Sequence, residues 1–149
     1  MKCLSLWQPW AQAVALGLKG YETRHWTTNY RGPLAIHAAK RVFNVKIHDP
    51  WILEACNQLS KAGCPHYVVD YGKVLCVADL TDCVPTGRVR DRIAARELFW
   101  GDFRNQGDDG KPRFAWALKN VRPIPGYLRP EVTGRQGLFD IPDDIVRFE

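Results

Sequence analysis

The sequence of 149 residues lacks three features that would assign it to a class at once. No apolar run reaches the roughly 18 residues that a membrane-spanning helix needs, so no membrane association is expected. The N-terminus enters patterned sequence without the apolar stretch and cleavage site of a secretory signal peptide. Internal repeats and low-complexity segments are also missing. A single cytoplasmic globular domain over residues 1–149 is therefore expected.

The cysteines show no paired spacing, although there are five of them. An odd number without a Cys-x2-Cys pair favours free thiols in a reducing compartment over a disulfide framework. Cys56, Cys64 and His66 could supply three zinc ligands, but no second closely spaced pair of ligands supports such a site. Neither a metal nor a cofactor is expected.

The charge and the tryptophans both fit a nucleic-acid partner without requiring one. The formal net charge is +5, and many proteins with this balance bind no nucleic acid. The tryptophans exceed what a core of this size requires, and their flat faces can stack on bases or fill a core. They are Trp7, Trp10, Trp26, Trp51, Trp100 and Trp116.

A lysine between two glycines leads into the most informative strand pattern, over residues 21–26. The glycines allow a turn that could aim Lys19 at the strand. Because strand side chains alternate between faces, Glu22, Arg24 and Trp26 should share one face. An acid, a base and a large aromatic side chain there indicate either a polar pocket wall or an edge strand. On an edge strand the ion pair would contribute only about 0–1 kcal/mol.

The elements are predicted in the order strand, helix, strand, strand, helix, strand, helix and then further strands. The best-marked helix has Asp49 as its cap and Pro50 at its first position, and it should stop near Gly63. The run Gly72–Leu80 is apolar on both faces, which is typical of a central strand. Short strands without regular βα alternation favour an α+β fold, a small mixed β-barrel with flanking helices.

One carboxylate interrupts the predicted central strand. Asp79 is in phase with Leu75 and Val77, which are expected to face the core. A carboxylate on that face must be hydrogen-bonded, paired or shifted in pKa. Asp79 is therefore a candidate site residue.

Three arginines repeat every four residues around the predicted third helix, which should run from Arg90 to about Phe99. Arg88, Arg92 and Arg96 would line up on one face if that helix began early. Like charges at this spacing cost a few tenths of a kcal/mol. The stripe therefore indicates either phosphate contacts or a solvated face neutralised by neighbouring acids.

Several segments together resemble the ASCH (activating signal cointegrator homology) family, a relative of the PUA domains. They are a Gln-Pro-Trp turn at 8–10, a Gly-x-Lys-x-x-Glu-x-Arg motif at 17–24, a Tyr-Arg-Gly-Pro segment at 30–33, the central strand at 72–82 and Phe-Ala-Trp at 114–116. The resemblance covers most of the chain. It implies a small PUA-like β-barrel flanked by helices, with a cleft that binds RNA, nucleosides or modified bases.

Some small members of this family are amidohydrolases that act on N(4)-acetylcytidine. Their catalytic set is a lysine and a threonine of the same motif and a glutamate on the central strand. The resemblance places Lys19 at the lysine, Glu22 at the threonine and Asp79 at about the glutamate. Hydrolysis by those members needs the threonine hydroxyl as an activated nucleophile, and this chain has Glu22 in its place. A lysine beside carboxylates should stay protonated and serve as an anchor.

The sequence therefore predicts a binding module for RNA or a modified nucleobase. Cations would orient phosphates, carboxylates would accept from exocyclic amines, and tryptophans would stack on bases. The alternatives are an amidohydrolase on N(4)-acylated cytidine with catalytic Lys19, Glu22 and Asp79, a magnesium-dependent ribonuclease, and a protein-interaction domain with internal ion pairs. The expected ligand contacts are Trp7, Gln8, Trp10, Lys19, Glu22, Arg24, Trp26, Arg31 and Asp79, with phosphate contacts from Arg88, Arg92 and Arg96.

Overall fold

A curled sheet of six strands forms the centre of the protein. The computed structural model describes residues 1–44, 49–65 and 69–149. The order across the sheet is β2-β5-β4-β3-β1-β6. The strands are β1 Lys2–Leu6, β2 Tyr21–Arg24, β3 Gly32–Ala38, β4 Lys73–Pro85, β5 Phe114–Pro123 and β6 Leu138–Asp140. The α-helices are α1 Trp10–Ala15, α2 Pro50–Lys61 and α3 Ala95–Trp100.

The sheet is mixed, as the α+β prediction requires. Strand β1 pairs in parallel with β3, while all the other described pairings are antiparallel. Strands β2 and β6 lie at the two edges, so the sheet is a half-barrel flanked by helices. The predicted fold class is confirmed, and the described part of the chain contains no helix long and apolar enough to cross a membrane.

Each face of the sheet packs its own set of apolar side chains. On one face, Leu4, Ile36 and Leu80 pack with Val14 of α1. The other face buries a smaller cluster that includes Val77 and residues of the C-terminal segment. A third cluster, with Trp100 at its centre, joins the three helices to one another. Helix α3 is tied to the edge of the sheet that carries β2, because Glu97 accepts hydrogen bonds from the amides of Gly20 and Tyr21.

Helix α2 begins and ends where the sequence predicts. The Asp49 carboxylate accepts a hydrogen bond from the Trp51 amide at 2.7 Å, and Pro50 occupies the first turn. Proline at this position leaves no helical hydrogen bond unmade. Gly63 follows the helix with a φ of 99°, a backbone conformation that glycine adopts without strain.

The prediction that Asp79 faces the core is wrong. The register of β3 against β4 shifts beside Leu75, since Ile36 pairs with Cys76 whereas the next residue, His37, pairs with Val74. Such a bulge reverses the alternation of side chains along a strand. Cys76 therefore joins Leu75 in the first cluster, and Asp79 lies on the opposite face with Val77. Val77 is buried there in the second cluster, whereas a third of the Asp79 side chain is exposed.

The predicted single helix with an arginine stripe is also absent. The segment instead forms two short 3-10 turns, Thr86–Arg88 and Arg90–Arg92, before α3 begins at Ala95. Extended backbone at Ile93 and Ala94 separates the second turn from α3. The three arginines are all exposed but belong to three different helical pieces, so their spacing in sequence does not align them on one face.

Candidate ligand-binding cavity

An open cavity of about 1070 Å³ lies between strand β2, the start of α1 and the segment 133–137. Five of the six tryptophans line it, together with four basic and two acidic residues. The tryptophans are Trp7, Trp10, Trp26, Trp51 and Trp100, the basic residues are Arg24, Lys40, Arg113 and Arg135, and the acidic residues are Glu22 and Asp102. The described wall is therefore aromatic and net positive.

A buried charge cluster forms the floor of this cavity. Lys19 is 1% exposed, and its Nζ lies 3.3 Å from Glu22 Oε1. The ammonium also donates to the Trp100 carbonyl at 2.9 Å. Glu22 is 7% exposed and accepts a hydrogen bond from Arg24 Nε at 3.2 Å through its second oxygen. Glu22 is thus a buried carboxylate held between two cations rather than part of a surface pair.

The pKa of Glu22 lies below its ordinary value. Burial alone would raise the pKa because it penalises the charged form. The charges of Lys19 and Arg24, with hydrogen bonds from the Thr23 amide and from Lys19, more than offset that penalty. Glu22 therefore stays ionised at neutral pH, and the cluster carries one net positive charge.

Arg24 connects the charge cluster to strand β1. Its Nη2 donates to the Ser5 carbonyl at 2.9 Å. The Ser5 hydroxyl lies 2.8 Å from His37 Nδ1, and His37 Nε2 lies 2.8 Å from the Val132 carbonyl. Since a carbonyl can only accept, Nε2 carries the proton and Nδ1 accepts from Ser5. Burial is the main cause that lowers the pKa of His37, which favours the neutral ring.

Aromatic side chains form the part of the wall that adjoins the charge cluster through Trp100. Trp10 stacks on Trp51 with ring centroids 5.2 Å apart, and Trp51 stacks on Phe99 at 4.9 Å. Trp7 stands at the mouth, 53% exposed, with the Arg41 guanidinium 3.8 Å above its ring. Stacked rings of this kind offer a flat apolar surface to a planar ligand.

A second carboxylate in the cavity wall is also neutralised. Asp102 receives two hydrogen bonds of 2.8 Å from the Arg104 guanidinium. Arg113 Nε lies 3.4 Å from the same carboxylate, without the geometry of a hydrogen bond. These contacts, above all those from Arg104, hold the pKa of Asp102 below its usual range. Both acids on the wall are consequently matched by cations, and Lys40 and Arg135 remain as exposed positive charge.

The predicted contacts divide into three groups. Trp7, Trp10, Glu22, Arg24 and Trp26 line the cavity. Lys19 and Gln8 lie behind the described wall, where Gln8 donates to the Asp70 carbonyl and accepts from the Gln12 amide. The third group lies away from the described wall and consists of Arg31, Asp79, Arg88, Arg92 and Arg96.

Two of the outlying residues have partners of their own. Arg31 donates to the Thr28 and Tyr30 carbonyls and lies 3.8 Å from the Asp82 carboxylate. Arg122 lies 3.0 Å from Asp79, and hydrogen bonds from Arg122 are the main cause that lowers the pKa of Asp79. The prediction that Glu22 and Asp79 share one cleft is therefore wrong.

Several wall residues have no distinctive signal in the sequence. Ser5 and His37 are 32 positions apart and become partners only because β1 pairs with β3 in parallel register. Asp102 and Arg113 come from a polar loop that carries no local pattern. A correct prediction of the β1–β3 pairing would have brought the first two together.

The described residues contain no group of three or more side chains arranged to hold a metal ion. Of the zinc ligands considered from the sequence, Cys56 and Cys64 are buried, and burial raises the pKa of both thiols. Raised values disfavour the thiolate that zinc binds. The third, His66, lies outside the described residues.

Comparison with known proteins identifies the family. The family model of the ASCH domain matches residues 4–122 of the sequence. The chain is 36% identical over 125 residues to activating signal cointegrator 1 of Mus musculus and 33% identical over 94 residues to the Homo sapiens protein of that name. These matches cover 82% and 61% of this chain but only 19% and 16% of the relatives.

A solved structure carries the same fold. The crystal structure of ASCH from Zymomonas mobilis aligns with a TM-score of 0.58, over 97% of this chain and 89% of that chain. The sequence identity is 18%, so this likeness bears on the fold alone. The family match over most of the sequence, with the half-barrel and its flanking helices, leads to one conclusion: this chain belongs to the ASCH domain family.

Proposed function

We propose that the cavity binds an unstacked base of single-stranded RNA, a modified base being one such ligand. The observation that carries this proposal is the aromatic wall beside a net positive floor, because single-stranded nucleic acid is bound by stacking surfaces and positive charge together. The resemblance of the sequence to ASCH proteins points to the same class of ligand. The cavity volume of about 1070 Å³ accommodates a nucleotide.

The residues have separate roles in this proposal. Trp7 stacks on a base at the mouth of the cavity, where its ring is exposed. The base either displaces the Arg41 guanidinium from the ring or stacks on the other face of the ring. Arg24 presents its guanidinium to a phosphate or carbonyl oxygen, while Glu22, itself paired with Lys19, holds Arg24 in place. Lys40 and Arg135 supply charge that does not depend on base identity.

The test is fluorescence anisotropy with a labelled single-stranded RNA at two salt concentrations. Stacking on one aromatic ring is worth about 1–3 kcal/mol per base, so Trp7→Ala should weaken binding roughly fivefold or more. Binding should also weaken steeply as salt rises. Tyr127→Ala is the matched control, since Tyr127 is 86% exposed and lies away from the described wall.

Two outcomes would contradict the proposal. One is equal affinity for Trp7→Ala and the unchanged protein. The other is a loss that is just as large for Tyr127→Ala. Competition by free nucleosides, each with one modified base, would identify the ligand class within the proposal.

A further inference from the structure

A serine and a histidine on neighbouring strands form a pair that binding alone does not use. Ser5 on β1 and His37 on β3 are register partners, and both line the cavity. The 2.8 Å contact between Ser5 Oγ and His37 Nδ1 is within hydrogen-bond reach. The 2.8 Å contact of His37 Nε2 to the Val132 carbonyl fixes the ring and its tautomer. Two hydrogen bonds therefore connect a hydroxyl that could act as nucleophile, an imidazole that could act as its base, and a carbonyl that orients the imidazole.

The surroundings leave the serine of this pair partly exposed. Ser5 is partly exposed, whereas His37 is 1% exposed and is held on both ring nitrogens. Arg24 donates to the backbone carbonyl of Ser5, so a positive charge lies near the residue that carries the hydroxyl.

The segment at the cavity rim also approaches the pair closely. A Cβ added at Gly134 would lie 2.8 Å from His37 Cε1 and 3.2 Å from Ser5 Oγ. The first distance is shorter than side chains tolerate, so only glycine lets the backbone pack there without displacing the ring. Gly134 thus lets the rim backbone pack closely over the imidazole and beside the hydroxyl.

We propose that Ser5 and His37 form a nucleophile–base dyad that hydrolyses an ester or amide bond of a molecule bound in the cavity. This inference does not depend on RNA binding. In this chain Glu22 stands where the family motif has a threonine, and the dyad would supply a hydroxyl from a different strand. It also uses none of the three catalytic candidates named from the sequence.

The reaction balances without a cofactor. Ser5 Oγ forms a bond to the acyl carbon, and its proton passes to His37 Nδ1. The bond from the acyl carbon to the leaving nitrogen or oxygen then breaks, and the leaving group takes that proton. Water attacks the acyl-serine with His37 again as the base, which releases the acid and restores Ser5.

A fluorophosphonate tests the dyad directly, because Ser Oγ displaces fluoride from phosphorus and leaves a stable adduct. The chain has two serines, Ser5 and Ser60, and Ser60 is exposed on α2. Mass spectrometry of the digested protein therefore compares an activated serine with an internal control. We expect Ser5 to be modified at least tenfold faster than Ser60, and Ser5→Ala to lose the adduct.

A second arm avoids variants that fail to fold. The unchanged protein is labelled in its native state and in urea. An activated serine reacts faster in the native protein, whereas a serine that only links β1 to β3 reacts more slowly there. His37→Gln should lower the native rate at least tenfold, and Gly134→Ala should lower it relative to the open control Gly126→Ala. Native labelling of Ser5 no faster than in urea, or unchanged in His37→Gln, would overturn the proposal.

Discussion

Two carboxylates on strands of the same sheet have opposite surroundings. Glu22 on β2 is buried, touches Lys19 and Arg24 and lines the cavity. Asp79 on β4 is a third exposed and has Arg122 as its ion-pair partner. The pKa of each lies below its ordinary value, but for Glu22 two cations must first offset a large burial penalty, whereas for Asp79 hydrogen bonds are the largest cause. A lowered pKa alone therefore does not mark a site.

The largest expected difference between the two regions is in stability. Removing one partner of a buried ion pair leaves an uncompensated charge, so Glu22→Gln should lower the free energy of unfolding by about 3 kcal/mol. Lys19→Met should cost a similar amount, and the double variant should cost less than the sum of the two. Urea denaturation measures all three. Strictly additive losses would contradict a coupled buried pair.

Ligand affinity should separate the same two regions. A charge-assisted hydrogen bond is worth about 1.5–3 kcal/mol, so Arg24→Gln should weaken RNA binding roughly tenfold or more. Arg122→Gln removes a partly exposed arginine away from the cavity and should leave affinity within about twofold of the unchanged protein. Anisotropy titrations of the two variants, each first checked for folding, measure this contrast. A greater loss of affinity in Arg122→Gln than in Arg24→Gln would place the ligand on the face that carries Asp79 and contradict the proposed site.

The loss of stability at acid pH should also distinguish Glu22 from Asp79. The pKa of Glu22 is lowered from 4.5 in the folded protein, so its contribution to stability is complete above about pH 4.5. That contribution is lost as the pH falls below 4.5 and through the folded value. Urea midpoints between pH 3 and 6 should fall steeply for the unchanged protein and less steeply for Glu22→Gln. An identical slope in the two proteins would contradict the account.

The smallest effect is expected at Asp79. Water screens this pair because both of its partners are about a third exposed. Asp79→Asn should therefore leave the urea midpoint at neutral pH near that of the unchanged protein and reduce the acid slope less than Glu22→Gln does. A loss of stability as large as that of Glu22→Gln would show that exposure does not predict how much these two carboxylates contribute to stability.

Local patterns predicted much of this fold because they depend on neighbouring residues. The cap at Asp49 and the proline after it set the start of α2, and period-two alternation in β2 put Glu22 and Arg24 on the face that meets Lys19. The tryptophans were identified as packing or stacking residues; Trp100 and Trp116 are buried in the core, and five of the six line the cavity. Their role in binding remains a prediction.

Features that depend on distant pairing could not be predicted. A bulge beside Leu75 shows only in the register against β3, and it puts Asp79 on the face opposite to Leu75 although the sequence pattern has the two in phase. Extended backbone at Ile93 and Ala94 divides the predicted arginine stripe, and Glu97 ties α3 to the amides of Gly20 and Tyr21. The Ser5–His37 pair likewise exists only through a parallel pairing of β1 with β3.

One titration tests directly whether the cavity, and not the face that carries Asp79, is the ligand site. A nitrogen-15-labelled sample is followed by two-dimensional NMR while a short single-stranded RNA is added. We expect the amide signals of residues 22–26 and 133–137 to shift in a saturable manner, while those of Asp79 and Arg122 stay in place. Shifts confined to Asp79 and Arg122, or no shift in either region, would contradict the central claim.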